Sequence, residues 1–187
     1  MINYNKYFEK VRYKNYKIDD FYNLKVLETL DMFNKILSNN NLNYILTGSV
    51  CLSILSHKII RTWGDIDVLV EQDVLLKIKS LFKEQKIEWE LITSKLQLLG
   101  VLNLKTQVKV QFVNYAMCEK DYQEISIKDI TLKLSYPDKT FMAKFLRLNY
   151  NKKDLEDFKF FREFIDIENK AELIKMLLDK KVSPEDI

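Results

Sequence analysis

Apolar residues along this chain follow two rhythms. In residues 21–38, FYNLKVLETLDMFNKILS, the residues Leu24, Leu27, Leu30, Phe33, Ile36 and Leu37 recur at helical spacing, and the asparagines at 39–41 end the run. The short apolar run NYILTG at 43–48 predicts a buried strand entering a tight turn. SVCLSILSH at 49–57 then predicts a helix with Ser49 as its N-cap and His57 at its C-terminal end. DIDVLV at 65–70, bounded by Gly64, predicts a strand, and DVLLKIKSLFKEQ at 73–85 a helix with Asp73 near its start. IEWELI (87–92), LLGVLNL (98–104) and VKVQFV (108–113) predict three more strands. In the last of these, Val108, Val110 and Phe112 face one way, while Lys109, Gln111 and Val113 face the other. TLKLSY at 131–136 predicts a final short strand before Pro137, and helices follow over 138–149, 152–165 and 168–180. This order predicts an α+β fold, with a mixed sheet flanked by helices over residues 1–136 and a helical C-terminal segment over 137–187 packed on it.

Composition narrows the class. A length of 187 residues with only 3 Gly and 2 Pro fits one folded unit and argues against a loop-rich or disordered chain. Thirty basic residues against 27 acidic ones give a net charge of +3, which makes no nucleic-acid surface by itself and leaves room only for a local basic patch. Lys152 and Lys153, with Lys180 and Lys181, are the candidates, although such runs are usually solvated faces. Cys51 and Cys118 fit no metal or redox spacing and read as two reduced thiols. A single histidine, His57, excludes multi-histidine metal sites. No stretch reaches the ~18 continuous apolar residues of a membrane span, and MINYNKYFEK has no signal-peptide core, so the reading is cytoplasmic with no membrane partner.

One segment breaks the apolar pattern in a way that demands chemistry. In RTWGDIDV, residues 61–68, Asp65 and Asp67 stand at i and i+2 on a predicted strand, hence on one face. Two carboxylates there repel unless a cation sits between them, and hard oxygen ligands on one face suit Mg²⁺ that also binds phosphates. Upstream, Gly48-Ser49 stands at the strand-to-helix turn, where glycine admits close approach of a phosphate and the helix N-terminus supplies N–H donors. Fifteen residues, 50–64, separate Ser49 from Asp65, which is room for one helix and a return to an adjacent strand. Each feature has a plainer reading: Asp-Ile-Asp occurs on solvated edge strands, and Gly-Ser alone is usually just a helix start. Trp63 and Trp89 read as packing residues.

Taken together, TGS, the 15-residue gap and DIDV resemble the signature of the DNA polymerase β-like nucleotidyltransferase superfamily. The RTWGDID context resembles the branch that holds the abortive-infection toxin AbiEii and related bacterial toxins, along with some aminoglycoside nucleotidyltransferases, and YPDKTFMAKFLRLNYNKKDLEDFKFF at 136–161 looks like that branch's segment after the sheet; nothing in the chain marks an acidic antibiotic-binding cleft, so an aminoglycoside acceptor is the less favoured one. The resemblance implies a nucleotidyltransferase-type sheet and transfer of an NMP from an NTP to an acceptor, RNA (tRNA) or protein, with an antitoxin protein as partner. It implies that Gly48 and Ser49 hold the triphosphate, that Asp65 and Asp67 are catalytic and bind Mg²⁺ or Mn²⁺, and that Lys144 reaches toward phosphate. Arg61 is a further phosphate contact, or surface charge before the strand. Lys153, Asp154 and Asp157 match the downstream motif as accessory residues, and the two acids serve equally as first-turn acids of a helix.

The same resemblance implies a third carboxylate on a later strand, and there the chain has Gln111. An amide carries no charge and is no base. Its carbonyl oxygen could ligate a metal only weakly, and three readings follow: a catalytically weakened or dead relative that still binds nucleotide, another acid in that role with Glu88 or Glu90 as candidates, or one metal ion on two aspartates with deprotonation left to solvent.

Overall fold

The computed structural model describes residues 4–11, 16–84, 88–95, 97–116, 122–127, 130–146 and 151–187. The chain divides into two compact units, Met1–Leu134 and Ser135–Ile187.

The first unit is built on a seven-stranded mixed sheet. Its strands are β2 (Ile45–Thr47), β4 (Ile66–Val70), β5 (Trp89–Lys95), β6 (Leu98–Asn103), β7 (Lys109–Asn114), β8 (Tyr122–Ile127) and β9 (Ile130–Ser135). They lie in the order β5-β6-β7-β4-β2-β9-β8. β4 runs parallel to β7 and antiparallel to β2, while β6 pairs antiparallel with β5 and β7. Alternation sends Ile66, Val68, Val70, Val110, Phe112, Leu99, Val101 and Trp89 into a buried core. There the face meets α2 (Asp20–Asn39) and α4 (Gln72–Glu84): Phe33 of α2 meets Phe112 edge-on, and Phe82 of α4 meets Trp89 at 4.9 Å between ring centroids. α3 (Gly48–Ser56) follows β2 directly and buries Val50, Cys51 and Ile54. A small parallel pair, β1 (Glu9–Lys10) with β3 (Lys58–Ile59), follows the short α1 (Tyr4–Tyr7).

Details of this unit differ from the sequence pattern, among them the start of β4 at Ile66 rather than Asp65. α3 starts one residue earlier than expected, with Thr47 rather than Ser49 at the N-cap position, because Gly48 takes φ +75° and turns the chain directly out of β2. β8 is an added strand; YQEISI carries too many polar groups to announce itself, as suits the last strand of a sheet. The strand expected at 87–92 runs on to Lys95 across an irregularity between Leu91 and Thr93. Gln85, Ile87 and Cys118, and the end of the helix expected at 138–149, lie outside the described residues.

In the second unit, α5 (Pro137–Leu146), α6 (Lys152–Phe161) and α7 (Ile167–Asp179) surround Phe141, Phe145, Phe158, Phe161, Leu173 and Leu177, all buried. Pro137 fits the first helical position, which needs no N–H. A reciprocal cap between Asn151 and Asp154 starts α6. α6 ends at Phe161, where a 3-10 turn, Arg162–Phe164, replaces the last residues of the expected helix. Among the described residues, no helix is long and apolar enough to cross a membrane.

Candidate functional site

The site forms where β2, β4 and β7 present their outward side chains. Thr47 of β2 pairs with Asp67 of β4, and Asp67 pairs with Gln111 of β7. Paired residues on neighbouring strands share a face, so Thr47, Asp67 and Gln111 form a row across three strands. Gln111 Nε2 donates a hydrogen bond to Asp65 Oδ2, which draws Asp65 to the same row although it stands just before β4. The residue at the third-acid position is therefore bonded to one aspartate of the predicted pair and paired across the strands with the other.

Gly48 closes the row. A Cβ there would strike the Asp67 carboxylate and stand 3.1 Å from Asp67 Cβ, and φ at this residue is +75°, so both space and backbone conformation require glycine. The start of α3 is thus pressed against Asp67. Thr47 makes no side-chain capping bond to α3, which leaves the first-turn N–H groups to other acceptors. Ser49, half-buried, stands in that first turn. N–H groups at a helix start beside carboxylates can hold a phosphate bridged by a cation.

The loop carrying Asp65 is fixed from α2, and no local sequence signal announces this. Asp19, the N-cap of α2, receives a bond at its carboxylate from Tyr22 N and donates its own N–H to Thr62 Oγ1. Asn23 accepts from Trp63 N through Oδ1, and Tyr22 donates its phenol to Gly64 O at 3.0 Å. Burial, and then the charge of Asp65, push the Tyr22 phenol above its ordinary value, so it stays a proton donor. Trp63 is 1% exposed and donates to Ser53 Oγ, which makes it a packing residue.

Other predicted residues are placed differently. Arg61 Nη1 donates to the carbonyl of Thr62. Lys144, Lys153, Asp154 and Asp157 belong to the helical unit. Lys144 Nζ lies 2.6 Å from Asp154 Oδ1 and 3.6 Å from Asp157 Oδ2, and Asp157 is 1% exposed. Its charge is therefore matched inside that unit. Lys153 is exposed. Glu88 is an exposed turn residue before β5, and Glu90 of β5 pairs with Leu102 of β6, at the outer end of the sheet. Among the described residues, no group of three acidic, histidine or cysteine side chains forms a metal site, so neither glutamate completes one with Asp65 and Asp67. Lys109 does share the site's face, two residues before Gln111 on β7.

The comparisons with solved structures now bear on this geometry. The antibiotic-resistance factor ANT(2")-Ia, solved in complex with adenylyl-2"-tobramycin, is similar over 82% of this chain and 98% of its own, at TM-score 0.61 and 9% identity. The lincosamide antibiotic adenylyltransferase LnuA, lincomycin-bound, is similar over 79% of this chain and 98% of its own, at TM-score 0.55 and 14% identity. The fold is that of the nucleotidyltransferases. An antigenic nucleotidyltransferase-like protein from Paracoccidioides brasiliensis shares it at TM-score 0.54 and 15% identity, over 89% of this chain and 90% of that one. No protein-family model matches the chain, and no curated protein matches it. On this nucleotidyltransferase fold, a glycine turn, two acids on one strand and an amide on the parallel neighbour meet at a single place.

Proposed function

We propose that the chain is a nucleotidyltransferase that moves a nucleoside monophosphate from an NTP to an acceptor hydroxyl. The observation that carries this reading is the contact of Gly48 with the Asp67 carboxylate, in a row with Asp65 and Gln111 on a nucleotidyltransferase fold. In the reaction, the acceptor oxygen bonds to the α-phosphorus, the bond to the β-phosphate oxygen breaks, pyrophosphate leaves and the acceptor proton passes to solvent. The hard carboxylate oxygens of Asp65 and Asp67 fit Mg²⁺ or Mn²⁺, and Gly48 and the α3 N-terminus fit the triphosphate beside it. Such an ion, when bound, supplies positive charge at the reacting phosphoryl group. Asp65 is held in place by Gln111, and Gly48 lets backbone N–H groups approach the phosphates without a side chain in the way.

Two structural neighbours are a lincosamide antibiotic adenylyltransferase bound to lincomycin and ANT(2")-Ia in complex with adenylyl-2"-tobramycin. The motif resemblance in RTWGDIDV and KKDLEDFKFF favours instead an RNA or protein acceptor, a toxin role of the AbiEii kind and an antitoxin partner. A second reading, a nucleotide-binding protein without catalysis, draws on the Gln111 amide where the superfamily signature has an acid.

Transfer of label separates the two readings. The protein is incubated with Mg²⁺ and each α-labelled NTP in turn, with total RNA, protein extract, lincomycin or tobramycin as acceptor. Label that moves to one acceptor, and fails to move with Asp67→Asn, supports the transferase and names both substrates. Nucleotide binding with no transfer to any acceptor supports the second reading.

A further inference from the structure

The direction of the Gln111 side chain carries more than the loss of an acid. Its Nε2 group, the positive end of the amide, points at Asp65 Oδ2. In this arrangement the amide spends a donor on Asp65 and brings no negative charge toward a second cation. The hydrogen bond also takes up one oxygen of Asp65, and Asp67 Oδ2 stands where a Cβ on Gly48 would fall.

Charge points the same way. Two divalent cations bring four positive charges, and three carboxylates together with the substrate phosphates offset them. Here the residues on the row bring two negative charges, and Lys109 on the same face of β7 adds a positive one. Burying a second divalent ion without its third carboxylate is costly in a partly desolvated site. Among the described residues, no other acid, histidine or cysteine joins Asp65 and Asp67 to offset it.

We propose that this chain holds a single divalent cation, on Asp65 and Asp67, and that Gln111 is the positioning residue that excludes a second. The inference rests on the transferase reading. It implies that the charge on the nucleotide is handled by one ion, the α3 N-terminus and Lys109, and that the acceptor's proton leaves without a carboxylate at position 111 to take it.

Counting Mn²⁺ by electron paramagnetic resonance tests this without turnover. The full chain is titrated with Mn²⁺ in the presence of each of the four α,β-methylene NTP analogues, which cannot be cleaved at the reacting bond. The expected result is one bound Mn²⁺ per chain for the wild type and two for Gln111→Asp or Gln111→Glu. Both acids are made so that one misfolded variant does not decide the outcome, and thermal melts check each fold. Asp67→Asn is expected to weaken the wild-type ion at least tenfold. Two ions on the wild type would overturn the single-ion assignment and leave the transferase standing. One ion on the wild type and on both folded acid variants would overturn the role of Gln111. No bound ion with any analogue would overturn the transferase reading itself.

Discussion

Two places in this chain gather aspartates, and they do so in opposite ways. In the helical unit, Asp154 and Asp157 converge on Lys144, whose ammonium lies 2.6 Å and 3.6 Å from them. At the sheet, Asp65 accepts a hydrogen bond from the Gln111 amide, and Asp67 stands where a side chain on Gly48 would fall. The first cluster satisfies its charges with a residue of its own chain, which is how a buried carboxylate becomes structural. The second sets acids beside a hydrogen-bond donor and a glycine turn, the arrangement that the proposed cation and phosphate would use. Acid content alone does not distinguish the two; what faces the acids does.

The largest expected effects break this contrast directly. Asp67→Asn is expected to lower transfer on the order of 10²–10³-fold, the scale of losing one electrostatic group in a reaction site, while its unfolding midpoint shifts by no more than a few degrees. Lys144→Met is expected to act through stability, by removing the ammonium that faces Asp154 and the buried Asp157. Urea unfolding of both variants beside label transfer tests the contrast. A double variant, Lys144→Met with Asp157→Asn, is expected to recover part of the lost stability, because the buried carboxylate that faced the ammonium no longer carries a charge. If Lys144→Met instead unfolds like the wild type and loses transfer, the helical cluster is not the structural one.

Much of the architecture was readable in the chain. Helical spacing located α2 and α4, and period-two alternation in VKVQFV put Lys109 and Gln111 on one face of β7. The turn at Gly48 and the pair Asp65 and Asp67 also stand out as residues. What pattern does not carry is long-range contact. The capture of the Arg61–Asp65 loop by Asp19, Tyr22 and Asn23 joins positions about 40 residues apart through side chains that look like any others on α2. The pairing of Lys144 with Asp154 and Asp157 depends on how three helices pack, which periodicity leaves open. β8 was hidden because an outer strand need not be apolar. The direction of the Gln111 amide is set by Asp65, 46 residues away.

Gly48→Ala sharpens the comparison from the backbone side. The added methyl meets the Asp67 carboxylate, and a left-handed φ costs a non-glycine residue about 1–2 kcal/mol. Transfer is expected to fall by more than that stability loss implies, because the turn brings α3 to Asp67. Equal melting of Gly48→Ala and wild type would show that the chain relaxes there, and the close approach would lose its significance.

The smallest effect belongs to the loop anchor and shows itself in alkali. Tyr22 has a phenol pushed above its ordinary 10.0 by burial and by Asp65, and Tyr44 is pushed further up by burial alone while it donates to Asn34. Both phenols are therefore harder to ionise folded than unfolded. The stability they protect is fully present below pH 10, the unfolded value, and is lost as pH rises through the folded values. Tyr22→Phe removes the bond to Gly64 O, worth about 1 kcal/mol at neutral pH, and is expected to make the decline above pH 10 shallower than in the wild type. Tyr44→Phe is expected to flatten it more, since that phenol is the more strongly perturbed. Transfer should tell the two apart at neutral pH: Tyr22 holds the strand entrance at Asp65, so its variant slows the reaction severalfold, whereas Tyr44→Phe leaves the rate unchanged. An equal slowing in both would mean that the rate follows general stability and not the placement of Asp65.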